Sequence, residues 1–276
     1  MTFAHPTTLI IGDLHHKTEL ADQAIRQFAG RYEQIVFLGD FLDCFGDNRG
    51  RMRTTCQWLK ASLAQSNRLH LLGNHDLAYL FPRHRQCTCP GHTPGKQRVF
   101  DEEMAGLGPK DFRVAIQVGS WLLSHAGFTS SFAQKLSASE VVAKAELEFA
   151  RIIAGQDSDI LHVGPSRGGA DRTGGLFWLD WPQEFRPISG LNQIVGHSPA
   201  KGVLRAKCLT AAGMHRQFEL CEPSPWPRMT QLPQPGPDWT SVNWCLDTGG
   251  VFAGLLKADR FDPLIAETRT PHPGSG

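Results

Sequence analysis

Six side chains of metal-ligating type stand in order along this chain of 276 residues, in short motifs that open on glycine or serine. They are Asp13 and His15 in GDLH, Asp40 in GDFLD, Asn74 in GNHD, His125 in SHAG and His197 in GHSP. Carboxylate and amide oxygens suit hard divalent cations, and imidazole extends the range to manganese, iron, zinc and nickel. Two such cations, roughly 3.5–4 Å apart, can activate water and split a phosphate ester at neutral pH. The leaving oxygen then needs a proton, most often from a histidine. A single Gly-Asp pair is more often a turn than a ligand; the ordered set carries the reading.

These residues do chemistry only if the chain folds them onto one point. Leu9, Ile10 and Ile11 run into Gly12-Asp13, residues 34–38 into Gly39-Asp40, and residues 69–72 into Gly73-Asn74. Short apolar runs bounded by turn signals fit buried strands of a parallel or mixed sheet. Residues 19–28 carry Leu20, Ala24, Ile25 and Phe28 at helical spacing, and residues 52–63 read as a second helix. Strand, motif and helix in repetition predict an α/β fold. In such folds ligands gather at the carboxyl ends of the strands, where this chain puts its polar residues.

Further along, residues 114–118 and 121–123 read as a hairpin around Gly119-Ser120 that delivers His125. Residues 139–153 read as a helix, capped by Ser137 or Ser139. Residues 164–175 form a glycine-rich loop without the lysine arrangement of a P-loop. Residues 193–195 lead into Gly196-His197, residues 242–246 into Asp247-Thr248-Gly249-Gly250, and 251–256 form another apolar run. Residues 81–97, rich in proline, glycine, cysteine and basic side chains, read as a loop or lid. Residues 222–238, with six prolines, read as a surface loop. With no repeat and no clear boundary, we expect a single domain over 1–270 with those two loops inserted and a loose tail at 271–276.

The ordered motifs resemble the signature of the calcineurin-like metallophosphoesterases over residues 12–199. GLFWLDW at 175–181 and CLDTGG at 245–250 are similar to the protein serine/threonine phosphatase branch, and symmetrical diadenosine tetraphosphatases share the pattern. The resemblance implies an α/β, calcineurin-like four-layer sandwich, two mixed β-sheets flanked by α-helices. It implies two divalent metal ions, manganese first, with iron, zinc or nickel as alternatives. Asp13 and His15 would hold the first metal, Asp40 would bridge, and Asn74, His125 and His197 would complete the second. His75 would be the general acid, and Asp43 would orient it by accepting a ring proton, which fixes the tautomer and raises the imidazole pKa. The lone histidine of GHSP, without the second of a GHxH motif, favours the phosphatase-like branch over nuclease-like ones.

Two departures leave the chemistry intact and bear on the substrate. Relatives usually continue GDxxD with Arg-Gly, the arginine clamping the phosphate; here Cys44 and Phe45 follow Asp43. Some relatives place an arginine after the tryptophan, where this chain has Leu179-Asp180. Arg49 and Arg167 are the expected substrate-binding replacements, with Asn48, Arg51, Arg172 and Arg186 as further candidates.

A hydrophobic content of 41% with 20% charged residues argues against disorder. A net charge of +1 gives no global attraction to nucleic acid or anionic membrane. No apolar stretch reaches the ~18 residues of a membrane span, and the N-terminus has no basic region ahead of its first motif, so a soluble, cytoplasmic protein is expected. Seven cysteines at irregular spacing make a disulfide framework a poor reading. His84, Cys87, Cys89 and His92 have zinc-capable side chains, but the C-x-C spacing is tighter than in typical structural sites and incidental cysteines in a loop are the plainer reading. His16 reads as exposed or as a support behind the ligands, and Trp178 and Trp181 as packing residues or a wall of the site. The expected function is a metal-dependent phosphoesterase acting on a phosphorylated small molecule, nucleotide or phosphoprotein. A phosphodiesterase on nucleic acid or cyclic nucleotide, and a non-catalytic scaffold of the same fold, are the competing readings.

Overall fold

The computed structural model describes residues 5–44, 46–199, 203–208, 217–221, 240–247, 253–257 and 259–264. The proline-rich 222–238, residues 248–250 of the CLDTGG motif and the tail at 271–276 lie outside the described residues. The chain runs β1 (Thr8–Ile11), α1 (Thr18–Gln27), β2 (Gln34–Phe37), α2 (Arg49–Leu63), β3 (Arg68–His70), α3 (Asn74–Leu80) and α4 (Pro94–Glu103). It continues through β4 (Ala115–Val118), β5 (Trp121–Ser124), α5 (Ala138–Ile153), β6 (Asn192–Val195), β7 (Val203–Cys208), β8 (Gln217–Cys221), β9 (Ser241–Cys245), β10 (Ala253–Lys257) and β11 (Arg260–Leu264).

Two mixed sheets result, ordered β11-β10-β1-β2-β3 and β4-β5-β6-β9-β7-β8. In the first, β1, β2 and β3 are parallel; in the second, β5, β6 and β9 are parallel. Alternation along each strand sorts the side chains. Ile10, Val36, Leu38 and Leu71 of the first sheet meet Leu123, Ile194 and Trp244 of the second in one apolar layer. Leu9, Ile11, Ile35 and Phe37 turn the other way, onto Ala21 and Ala24 of α1 and Met52, Cys56 and Leu59 of α2. Val141, Ala145 and Phe149 of α5 belong to the same cluster as Ala115 and Leu122 of the second sheet. The layers are helix, sheet, sheet, helix, and strands covered on both faces explain why the motifs follow unbroken apolar runs. Among the described residues no helix is long and apolar enough to cross a membrane.

The segment expected as a loop or lid over 81–97 is irregular up to Thr93, and its last four residues open a helix. Pro94 begins α4 as its first residue, and the Thr93 hydroxyl accepts the Lys96 amide at 3.3 Å. A Pro-Gly pair that reads as a breaker in mid-segment is a favourable start when a threonine stands before it, since the missing proline N–H has no partner in the first turn anyway. Helix α4 lies along α2, tied by Arg53 to Glu102 at 2.9 Å and to Glu103 at 2.8 Å. Ser137 is the cap of α5, with Glu140 reaching back to its amide at 2.7 Å.

Candidate metal centre

Each of the six parallel strands hands the chain directly to a polar residue: β1 to Asp13, β2 to Asp40, β3 to Asn74, β5 to His125, β6 to His197 and β9 to Asp247. The sheets are stitched together at these ends. Leu38 accepts a hydrogen bond from His125 Nδ1 at 2.9 Å, and Asp13 accepts the His197 amide at 3.0 Å. The local backbone is bent to suit. Of the seven non-glycine residues with positive φ among those described, five are His15, His16, Asp40, Asp43 and His197. Such conformations cost roughly 1–3 kcal/mol each and persist where the surroundings over-determine them. Their concentration here marks a built site.

The histidines are oriented from behind. A carbonyl oxygen can only accept, so His15 Nδ1 donates to the Asp43 carbonyl at 2.7 Å and leaves Nε2 3.7 Å from Asp40 Oδ2. His125, donating to Leu38, leaves Nε2 3.0 Å from Asn74 Oδ1 and 3.5 Å from Asp40 Oδ2. His197 brings Nδ1 to 2.9 Å from Asn74 Oδ1 and 3.2 Å from His125 Nε2. Its Nε2 is buried with no hydrogen-bond partner among the described residues, and the ring lies edge-on to His125 and Trp178. The Asn74 amide is fixed by donating to Cys89 Sγ at 3.3 Å, which turns its oxygen towards the histidines.

Two groups of side chains could each close around one ion: His15, Asp40 and His75, and Asp40, His125 and His197. Asp40 is common to both, the place a bridging carboxylate takes. Asp13 faces the His197 amide and lies in the field of Asp247 and Asp40. Burial, then Asp247 and Asp40, raise Asp13 well above the usual carboxylate range. Burial also opposes ionisation of Asp40, but His125, His75 and His15 outweigh it and hold Asp40 well below that range. So many buried acceptors turned on one another are what a divalent cation satisfies, and the oxygen and imidazole donor set suits manganese, iron, zinc or nickel. The residues fit a metal pair.

His75 stands at the edge of this group, its Nδ1 3.3 Å from Asp43 Oδ2 and its ring edge-on to His15 at 5.1 Å. Burial works against its charge, yet the carboxylates of Asp40 and Asp43 carry its pKa up to about 11. The backbone amide of His75 also donates to Asp40 Oδ1 at 3.0 Å, so the would-be bridge and the would-be acid are one hydrogen bond apart.

The other expectations divide. His16 is buried, not exposed, with Nδ1 2.8 Å from Thr55 Oγ1 and Nε2 2.9 Å from Asp47 Oδ2. His84, Cys87, Cys89 and His92 are not gathered: His84 turns to the Gln156 carbonyl, His92 to Gln97, and Cys89 to Asn74. Trp181 is fully buried and stacked on Phe185 at 3.8 Å, a packing residue, whereas Trp178 touches the His197 ring. Arg167 and Asp180 pair at 3.0 Å, and the same guanidinium donates to the His197 carbonyl at 3.3 Å and Ser198 Oγ at 3.1 Å. Arg49 lines a groove of about 330 Å³ with Arg53 and Arg98.

Several participants carried no signal in the sequence for the part they play. Asp76, the last residue of GNHD, accepts the amides of Phe41, Leu42 and Gly73 and so braces the GDFLD turn against the GNHD turn. Asp47, Tyr79, Cys89 and Lys96 also reach the site. Only Asp76 and Asp247 lay inside a motif, and only their position in it could have flagged them.

The family model for calcineurin-like phosphoesterases matches residues 6–199, more than two thirds of the chain. No curated protein matches the chain. Among solved structures it is similar to a metallophosphoesterase from Sphaerobacter thermophilus (13% identity, 95% of this chain and 89% of that one, TM-score 0.45). It is also similar to a protein serine/threonine phosphatase from Saccharomyces cerevisiae that resembles human phosphatase PP5 (13% identity, 96% and 81%, TM-score 0.45). A protein described as a diadenosine tetraphosphatase aligns at 14% identity over 96% of this chain and all of that one, with a TM-score of 0.40. The family match spans five of the six strand ends that build the site, and the chain belongs to the calcineurin-like phosphoesterases, hydrolases of phosphate esters.

Proposed function

We propose that this protein hydrolyses a phosphomonoester or phosphoanhydride with two divalent metals, manganese in the first instance. The observation that carries the reading is Asp40, shared between two ligand groups in each of which one histidine, His15 or His125, is aimed by a backbone carbonyl. Asp13 and His15 serve one metal, Asn74, His125 and His197 the other, and Asp40 both. A bound metal pair supplies an acidified water and neutralises charge on the phosphate. The residues do the rest. Asp43 fixes the His75 tautomer by accepting from Nδ1, leaving Nε2 to deliver a proton to the leaving oxygen. Arg167, committed to Asp180 and to the His197 carbonyl, holds the GHSP loop. Arg49, with no ion-pair partner among the described residues, takes substrate phosphate or an acidic neighbour of it.

The retained His75 and the intact ligand set weigh against a scaffold without activity, and the lone histidine of GHSP against nucleic-acid cleavage. The odd number and irregular spacing of the cysteines support a reducing, cytoplasmic setting. Metal analysis of Asp40→Asn and His197→Ala tests the core of the reading: Asp40→Asn should lose both ions and His197→Ala chiefly one. Unchanged metal content in Asp40→Asn would sink it. A panel of a phosphopeptide, diadenosine tetraphosphate and bis-para-nitrophenyl phosphate then separates phosphatase, anhydride hydrolase and diesterase.

A further inference from the structure

Behind the His75–Asp43 pair lies a third cluster, His16, Asp43 and Asp47, whose ligand atoms come close enough to hold a cation. That place is taken by the chain itself. Lys96, 5% exposed, projects from the first turn of α4 and puts Nζ 2.6 Å from Asp43 Oδ1 and 3.1 and 3.0 Å from the two oxygens of Asp47. Tyr79 donates its hydroxyl to the same Asp43 oxygen at 2.7 Å, and Gln97, next to Lys96, donates to the Tyr79 carbonyl at 3.1 Å. With Oδ1 taken by Lys96 and Tyr79, Asp43 offers Oδ2 to His75. Burial works against the ammonium's charge, and the carboxylates of Asp43 and Asp47 outweigh it.

We propose that Lys96 is a positioning residue for the hydrolysis, the internal cation of the Asp43–Asp47–His16 cluster, and that it locks Asp43 so that one oxygen always faces His75 Nδ1. The inference rests on the reading of His75 as the leaving-group acid. It gives α4 and the turn before it a part in the reaction: the same segment supplies Cys89, which orients the Asn74 amide.

The test compares a poor leaving group, phenyl phosphate, with a good one, 2,4-dinitrophenyl phosphate, which departs without a proton. Lys96→Met should lower kcat about ten-fold or more on phenyl phosphate and less than about three-fold on the dinitrophenyl ester, with KM for both within about two-fold of wild type. Lys96→Arg, which keeps the charge, should recover most of the loss. Metal content and thermal unfolding are measured on each variant. Because Lys96→Met leaves two buried carboxylates facing each other, a Lys96→Met, Asp47→Asn double variant is run beside it and takes its place if the single one does not fold. His75→Ala is the control. If it shows the leaving-group selectivity and the Lys96 variants lose both substrates equally, or only raise KM, Lys96 is structural and the inference is wrong. If His75→Ala itself shows no selectivity, the acid reading fails first.

Discussion

The carboxylate of Asp13 lies where a side chain on Gly196 would begin, and its two oxygens accept the backbone amide of His197 at 3.2 and 3.0 Å. The first motif and the last are therefore one unit, joined across the two sheets. The same relation recurs between Asp40 and Gly73, whose absent side chain leaves room for the Asp40 carboxylate. The glycine before each of these ligands is there because another ligand needs its space. Gly196→Ala should push Asp13 aside, lower bound metal and cost about 1–3 kcal/mol of stability through overpacking. Plasma emission analysis and urea unfolding check this; wild-type metal content and midpoint would show that the Asp13–His197 contact is dispensable.

His75 donates its backbone amide to Asp40 Oδ1, while its imidazole Nδ1 faces Asp43. Removing the ring leaves the ligands in place. His75→Ala should keep its metals and lose about 10²-fold or more in kcat on para-nitrophenyl phosphate. Near-wild-type turnover in a metal-replete His75→Ala would show that another group protonates the leaving oxygen.

How much of this was legible beforehand follows from where the information sits. Asp13, Asp40, Asn74, His125 and His197 each follow a short strand, so local pattern announced the strand and the polar residue beyond its end. Lys96 gave no such sign. It lies 53 residues from Asp43 in sequence and meets it only because α4 packs on α2, and α4 itself was hidden by the Pro-Gly pair in its first turn. For His16 the sequence leaves exposure and a supporting place behind the ligands equally open, since nothing local reveals Thr55 and Asp47 on either side of its ring. The β7–β8 hairpin and β11 carried alternation too weak to stand out. Asp180, a departure when read against relatives, acquires a role only with Arg167 beside it.

The clustered carboxylates make a prediction about metal removal. Asp13 is buried in the field of both Asp247 and Asp40, and like charges so placed oppose folding unless a cation lies among them. Metal bound at about a hundred times its Kd would add about 2.7 kcal/mol, or roughly 5–10 °C in Tm for a chain of this size. Chelation should abolish hydrolysis and lower Tm by that order, and manganese should restore both. A chelated protein with unchanged Tm would mean that metal binds too weakly to stabilise the fold.

His70 offers a test of the fold remote from the metals. On β3, it stacks on Phe37 at 4.9 Å and pairs with Ser62 Oγ at 2.8 Å, and burial together with Arg68 pushes its pKa down to about 3. The unfolded chain takes up this proton near the ordinary histidine value, about 6.5. Between those values the unfolded state binds more protons than the folded one, so stability is whole above about pH 6.5 and falls as pH drops towards 3. Each pH unit inside that window removes about 1.4 kcal/mol, so pH 5 should cost about 2 kcal/mol through His70 alone. His70→Gln keeps a polar partner for Ser62 and cannot take up a proton. It should therefore be less stable than wild type at pH 7.5 yet lose less on acidification, and the two urea midpoints should converge by pH 5. Parallel pH dependence in the two proteins would mean that His70 becomes protonated without unfolding its surroundings.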